Sequence, residues 1–272
     1  MEEKDLPDWD AFQQELQTPR VGLKDSPSPL LFRGQSDCEH RLTTTLERRG
    51  SVTTSFDEYY RLTNRMKPAV ETFTGAIWNV PDYSLEIAQS FRDIELLSAI
   101  PGRFPSLEYY RYMVYLRHHG FPSPLLDWSS SPYVAAFFAF RNPTGKAQKA
   151  SIYVYCEMPK GFKGWTAGGP TIRRMGSYVR SHARHFRQQS DYTVCGLFDK
   201  ELGWLFYPHE QVFSKTNKSD ALWKFNLPTT KRIKILRSLD DYNLNAFSLF
   251  DSEEALLETM WVREHVLKLG SL

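Results

Sequence analysis

Cysteine is scarce: Cys38, Cys156 and Cys195 are the only three in 272 residues. Widely spaced and odd in number, they exclude a C-x-x-C zinc site and the disulfide framework of a small secreted domain. No apolar run approaches the roughly 18–20 residues of a membrane-spanning helix. The opening MEEKDLPDWD is acidic and lacks an apolar stretch, so no signal peptide is expected there. An excess of charge is missing too. Lys and Arg number 34 against 32 Asp and Glu, a formal net charge of +2, too near neutrality to argue for nucleic acid from bulk charge. There is no G-x-S-x-G elbow and no P-loop, and GWTAGGP lacks the strand–helix context of a dinucleotide fingerprint. Adjacent His118 and His119 cannot easily share one metal, and no third ligand lies at suitable spacing, so no metal is expected. These absences describe a reduced, cytoplasmic protein without membrane contact.

What is present is globular. Hydrophobic residues make up 41% and charged residues 24%, enough for a sizeable core. The aromatic share of 14% also favours a surface able to stack on rings. Helices are expected over Asp8–Gln17, capped by Asp8, and from about Phe56, where Ser55 and Glu58 have capping-box spacing. Others are expected over SLEIAQSFRDIELLSAI, over SLEYYRYMVYLRHHG between Ser106 and Gly120, and over SPYVAAFFAF. VGLKDSPSP reads as loop. Strands are expected at LLFRG, PLLDWS, ASIYVYCEM, DYTVCGLF, LWKFNL and KRIKILRSL. SEEALLETMWVREHV closes the chain as an amphipathic helix whose stripe, Leu256, Leu257, Met260 and Trp261, is expected to pack against the body. The pattern is α+β, one domain over 1–272 with a helical insertion at about 52–120.

Three stretches carry chemistry. In LLFRGQSD, Arg33 offers a planar fork of donors suited to a diphosphate or carboxylate, and Gly34 would let a ligand approach the backbone. A structural ion pair at a strand end is the plainer use of Arg33. In RHHGFPSPLLDWSSSPYVAAFFAF, Asp127, Trp128 and Ser129 lead into a helix N-terminus that could accept an anion, or merely be capped. Between Arg173 and Arg187 stand five arginines, His182 and His185 and no acid, a run that could contact phosphates or form a solvated helix face.

These stretches resemble the FRG domain family, named for a Phe/Tyr-Arg-Gly motif. LLFRGQSD is similar to its first block, and RHHGFPSPLLDWSSSPYVAAFFA to its H-x-G-x-P-T-x-L-L-D-W block, with Ser123 in place of Thr. RHFRQQSDYTVC is similar to its Q-x-G-x-F-T segment, with Ser190 and Tyr192 in place of Gly and Phe, and FSLFDSEEALLETMWVRE to its closing helix. The resemblance covers about residues 7–265. A more distant similarity, in block order, is to ADP-ribosyltransferases. It implies a split β-sheet core of that type and NAD as substrate, cleaved at the nicotinamide–ribose bond, with transfer to a protein or nucleic-acid acceptor or to water.

On that similarity Arg33 binds the diphosphate, with Gly34 and Gln35 beside it. Trp128 and Tyr192 wall the nicotinamide, and Ser129 orients the ribose. His119 and Asp127 organise the loop or take part directly. Asp191, or failing it Gln188, fills the acidic position, for which Glu210 and Glu254 are substitutes. The setting implied is a toxin or anti-phage defence effector held by an antitoxin or other regulator. Two alternatives stay open: a non-catalytic nucleotide or nucleic-acid binding module, and a partner-regulated interaction domain.

Overall fold

The structure is a computed structural model that describes residues 1–50, 54–94, 96–97, 104–142, 145–161, 169–214 and 220–268. The chain begins with β1 (Glu2–Asp5), α1 (Trp9–Glu15), α2 (Gln17–Gly22) and β2 (Leu31–Gln35). Three helices follow, α3 (Phe56–Thr74), α4 (Leu85–Ser90) and α5 (Leu107–His118), before β3 (Leu126–Ser129). Next come α6 (Pro132–Arg141), β4 (Lys149–Cys156), β5 (Thr171–Arg174), α7 (Ala183–Arg187), β6 (Ser190–Asp199) and β7 (Gly203–Phe206). Then come α8 (His209–Ser214), β8 (Ala221–Pro228), α9 (Arg232–Asp241), α10 (Ala246–Phe250) and α11 (Glu253–Trp261), the last continued by π-helical turns at Val262–Leu267.

The strands form one open sheet in the order β1-β8-β4-β2-β3-β6-β5, with β7 also paired to β6. The β1–β8 pair is parallel and the others antiparallel, so the fold is α+β on a mixed sheet. Pairing is uneven. β2 matches β4 over five residue pairs and β3 matches β6 over four, but β2 and β3 meet only at Phe32↔Ser129. Beyond that pair the two strands diverge, opening a gap in the middle of the sheet.

Local sequence explains the helices that flank this gap. The Asp8 carboxylate accepts from the Ala11 N–H, Ser55 and Glu58 form a capping box, and the Ser106 and Ser131 hydroxyls cap α5 and α6. Gly120, at φ +81°, supplies the left-handed turn after α5. α6 lies across β2 and β4, burying Val134, Phe137 and Phe140 with Phe32, Ile152 and Phe225. Each such side chain contributes about 1.5–3 kcal/mol by leaving water. The α3–α5 helices bury a second, aromatic-rich cluster against Tyr192, Val194, Trp204 and Phe206. A third cluster, with Leu31, Trp128, Tyr153, Tyr155 and Cys195, covers another part of the sheet.

Several expectations need correction. KRIKILRSL is not a strand but α9: Ile235, Leu236 and Leu239 are buried at helical spacing, which its Lys/Ile alternation masks. The helix expected over SLEIAQSFRDIELLSAI ends at Ser90, and residues 95 and 98–100 of that stretch lie outside the described residues. After Ser90 the chain turns so that the Phe91 carbonyl accepts from Trp204 N–H and the Asp93 carbonyl from the Trp204 indole. The VGLKDSPSP loop starts late, since α2 takes Val21 and Gly22. MEEKD, not expected as a strand, is an edge strand whose Glu3 and Asp5 are held by Lys224, Asn226 and Lys149. The closing stripe does not pack inward. Leu256, Leu257, Met260 and Trp261 are exposed, and α11 buries Ala255 and Thr259 instead. No helix among the described residues is long and apolar enough to cross a membrane.

Candidate functional site

The gap between β2 and β3 opens into a cleft of about 470 Å³, within the size range of small-ligand sites. Its floor is Phe32–Gln35 of β2 and Asp127–Ser129 of β3. Arg117 and His118 at the end of α5, with Thr45, close one side. Ser190 and Tyr192 of β6, Gln188, and Arg184 of α7 form another, and Phe138 of α6 and Phe250 of α10 supply apolar wall. Among the described residues no group of three or more His, Cys, Asp or Glu could hold a metal.

Side-chain direction follows the two-residue strand period. The β3–β6 register pairs Asp127 with Tyr192 and Ser129 with Ser190 on one face, and Trp128 with Asp191 on the other. On β2, Phe32 and Gly34 face α6, while Leu31 and Arg33 lie on the opposite side. Arg33 therefore enters the cleft through the gap, where its Nη1 donates to the Asp127 carbonyl at 2.8 Å. Its Nε is buried without a partner. Burial outweighs the attraction of Asp127 and, with Arg117 and Arg48 nearby, lowers the guanidinium pKa to about 10. Arg33 stays charged at neutral pH but poorly compensated.

Arg117 is the opposite case. Its Nε and Nη2 make a bidentate bond to the Asp127 carboxylate, and its Nη1 donates to Thr45 Oγ1 at 2.9 Å. Thr45 Oγ1 in turn accepts from the Ser123 N–H at 2.9 Å, tying the loop after β2 to the turn before β3. Burial pushes the Asp127 carboxyl up, but Arg117, with Arg33 and His118 behind it, more than offsets that and holds it below the ordinary aspartate range. The same pairing raises Arg117 against its own burial. Among the described residues Asp127 is the only carboxylate lining the cleft, and it is already matched. Arg33 and Arg184 remain as the excess positive charge, neither in a salt bridge among the described residues. Arg184 donates to the Phe250 carbonyl at 3.1 Å and stands 5.6 Å over the Phe250 ring.

The sequence-derived candidates divide. Arg33, Gly34, Gln35, Asp127, Trp128, Ser129, Gln188 and Tyr192 all border the cleft. Gln35 donates to the Arg41 carbonyl at 3.1 Å and Gln188 to the Leu249 carbonyl at 3.3 Å, so both are held rather than loose. The Ser129 hydroxyl donates to the Gln188 carbonyl at 2.8 Å and is committed to joining β3 to the turn before β6. Trp128 borders the cleft, but its indole lies in the core behind, donating to Thr193 Oγ1 at 2.9 Å and stacked on Tyr155. It is not free to stack on a ligand.

Several expectations are corrected by position. His119 is exposed outside the cleft, packed on Tyr115, because the chain leaves the helix there; His118, one residue earlier, faces the cleft. Asp191 is fully buried on the far face, where Arg174 binds its carboxylate at 2.6 and 2.8 Å and burial still raises its pKa. Neither Glu210 nor Glu254 lines the cleft. Gly34 serves the packing of α6 rather than ligand approach: a Cβ there would stand 1.8 Å from the Ala135 carbonyl oxygen. The Arg173–Arg187 run is also not one surface. Arg174 is paired with Asp191 and Arg187 with Asp251, while Arg184 turns into the cleft.

Sequence reasoning passed over Arg117, His118, Phe138 and Phe250 as site residues. Arg117 carried a signal, since a cation in the last turn of a helix ten residues before Asp127 can fold back onto it. Phe250 carried none, because only the packing of α10 on α7 brings it near.

No curated protein and no solved structure matches the chain. The family model of the FRG domain matches residues 28–148, which include Arg33, Arg117, His118 and Asp127 but stop short of Gln188 and Tyr192. Over those residues the chain carries an FRG domain.

Proposed function

We propose that the cleft binds a dinucleotide of the NAD type and that the chain is an ADP-ribosyltransferase-like enzyme cleaving the nicotinamide–ribose bond. The observation that carries this reading is Arg33: a poorly compensated guanidinium standing in a gap of the sheet, beside a cleft whose one carboxylate is already matched. A diphosphate supplies the negative charge that Arg33 and Arg184 lack. Phe138 and Phe250 offer faces and edges for aromatic rings. The gap between β2 and β3 is the feature that favours a split sheet of the ADP-ribosyltransferase type.

Scission proceeds as nicotinamide departs with the electrons of the C–N bond, leaving an oxocarbenium-like ribosyl group. An acceptor hydroxyl, amine, carboxylate or water then bonds to that carbon, and any proton it carries is lost to solvent. Asp127, ionised at neutral pH and paired with Arg117, holds that guanidinium at the cleft wall and takes a hydrogen bond from Arg33 on its carbonyl. Gln188 provides an amide for the ribose hydroxyls but no base.

Incubating the full chain with NAD labelled in nicotinamide or adenine, alone and with cell extract, tests the reaction. Nicotinamide release or a labelled product, lost at least tenfold in Arg33→Ala, is the expected result. No release and no product under either condition overturns turnover. A partner-regulated domain is the second reading, favoured by the exposed Leu256, Leu257, Met260 and Trp261 on α11.

A further inference from the structure

Behind the cleft wall, four groups form a chain of contacts that ends on a backbone carbonyl. His118 Nε2 lies 3.0 Å from the Tyr192 hydroxyl. That hydroxyl lies 3.4 Å from His185 Nδ1, and His185 Nε2 lies 2.7 Å from the Ser177 carbonyl oxygen. His185 and Tyr192 are buried and stacked, with ring centroids 5.8 Å apart at 15°.

Proton accounting gives the chain a direction. A carbonyl oxygen only accepts, so His185 carries its proton on Nε2, and neutral His185 has a bare Nδ1. The Tyr192 hydroxyl donates its single proton there, which leaves its oxygen to accept from His118. In the reverse direction Tyr192 would donate to His118, and two lone pairs would face each other at His185. With the buried His185 ring neutral, only the first arrangement makes every contact donor to acceptor.

We propose that the Ser177 carbonyl, acting through His185 and Tyr192, fixes the proton of His118 on Nε2. The His118 Nδ1 lone pair is thereby reserved as a hydrogen-bond acceptor for a ribose hydroxyl in the cleft. The ligand half of this inference rests on the nucleotide reading; the proton assignment does not. His118 lines the cleft, and no partner among the described residues holds its Nδ1, which is not among the buried unpartnered atoms. Burial lowers the His118 pKa to about 4; Asp127 opposes the fall, and His185, Arg117 and His182 add to it. The lone pair is therefore bare at neutral pH. Ser177, His185 and Tyr192 are positioning residues, since they reach the ligand only through His118.

Two measurements test this on the full chain. Imidazole ¹⁵N spectra of the ligand-free protein at pH 7 are expected to show His118 protonated at Nε2 and bare at Nδ1. In Tyr192→Phe that tautomer is expected to give way to a mixture. A proton on Nδ1 in the unsubstituted chain overturns the proposal whether or not any nucleotide binds. In titrations, the analogue of NAD lacking both hydroxyls of the nicotinamide ribose is expected to bind about five- to tenfold more weakly than NAD, the worth of one hydrogen bond. In His118→Phe that difference is expected to narrow, leaving only what other contacts to the hydroxyls supply. An unchanged ratio in His118→Phe, or none in the unsubstituted chain, overturns the ligand half while leaving the nucleotide reading intact. Binding of neither compound removes the nucleotide reading and the ligand half together, and the spectra still decide the proton assignment.

Discussion

Arg33 and Asp127 meet across the opening of the sheet: the guanidinium donates at 2.8 Å to the main-chain carbonyl of Asp127, while Arg117 holds that residue's carboxylate. Asp127 thus serves one arginine with its backbone and another with its side chain. Only one of the two positive charges is neutralised, and the remaining one gives the cleft its character.

Arg33 is expected to cost stability while serving binding. Its burial without full compensation lowers its pKa in the native state, and replacing such a charge by an apolar side chain is often neutral or stabilising. Arg33→Met is expected to leave stability unchanged or raise it by about 1 kcal/mol in urea unfolding, while nucleotide affinity falls at least tenfold.

Gly34→Ala tests the packing role of the motif glycine. With the new Cβ within 3 Å of three main-chain atoms of α6, the helix must shift, and overpacking of this kind costs about 1–3 kcal/mol or more. A lower denaturation midpoint is expected, with loss of soluble protein in the severe case. An unchanged midpoint contradicts the contact.

Asp127→Asn and Asp191→Asn separate the two acids. The first leaves Arg117 without its counter-charge at the cleft and is expected to weaken nucleotide binding or turnover at least tenfold. The second alters a buried pair on the far face and is expected to change affinity less than twofold, whatever it does to stability. The pH dependences differ in sign. The native Asp127 carboxyl lies below its ordinary 3.8, so its contribution is full above that value and fades as pH falls through the native one. The native Asp191 carboxyl lies above its ordinary value, so its contribution is present at low pH and is lost as pH rises through the native one.

Two histidines make the fold acid-sensitive above the carboxylate range. His118 and His209 have native pKa values lowered to about 4 and about 3 from an ordinary 6.5, chiefly by burial. Stability from keeping them neutral is full above 6.5 and lost as pH falls toward those native values. Unfolding free energy measured from pH 7 to 5 is expected to decline, with up to about two protons taken up on unfolding. His118→Gln and His209→Gln are each expected to remove about one. A flat profile in the unsubstituted chain contradicts the burial of both rings.

Much of the frame was legible in sequence because caps and turns are local. Ser55, Ser106, Ser131 and Gly120 mark helix ends by chemistry that needs no tertiary partner. α9 was not legible, because Arg-Ile-Lys-Ile imitates a strand and only its neighbours reveal which face is buried. The site was legible as three blocks but not residue by residue. Asp191 and Tyr192 could not both face one cleft, since adjacent strand residues point to opposite sides. The register with β3, a property of the sheet, chose Tyr192. The step from His119 to His118 likewise depends on where α5 ends. Gly34 was readable as special, but whether a ligand or a helix needed the space is a tertiary fact.

Calorimetric titration of the full chain with ADP-ribose at about 0.1 M salt is the most direct test of the central claim, that the gap beside Arg33 is a diphosphate-binding cleft. Saturable 1:1 binding is predicted, weakening as salt rises and falling at least tenfold in an Arg33→Met variant that unfolds at the same or higher denaturant concentration. Affinity equal in the two folded proteins, or absence of binding in the unsubstituted chain, would contradict it.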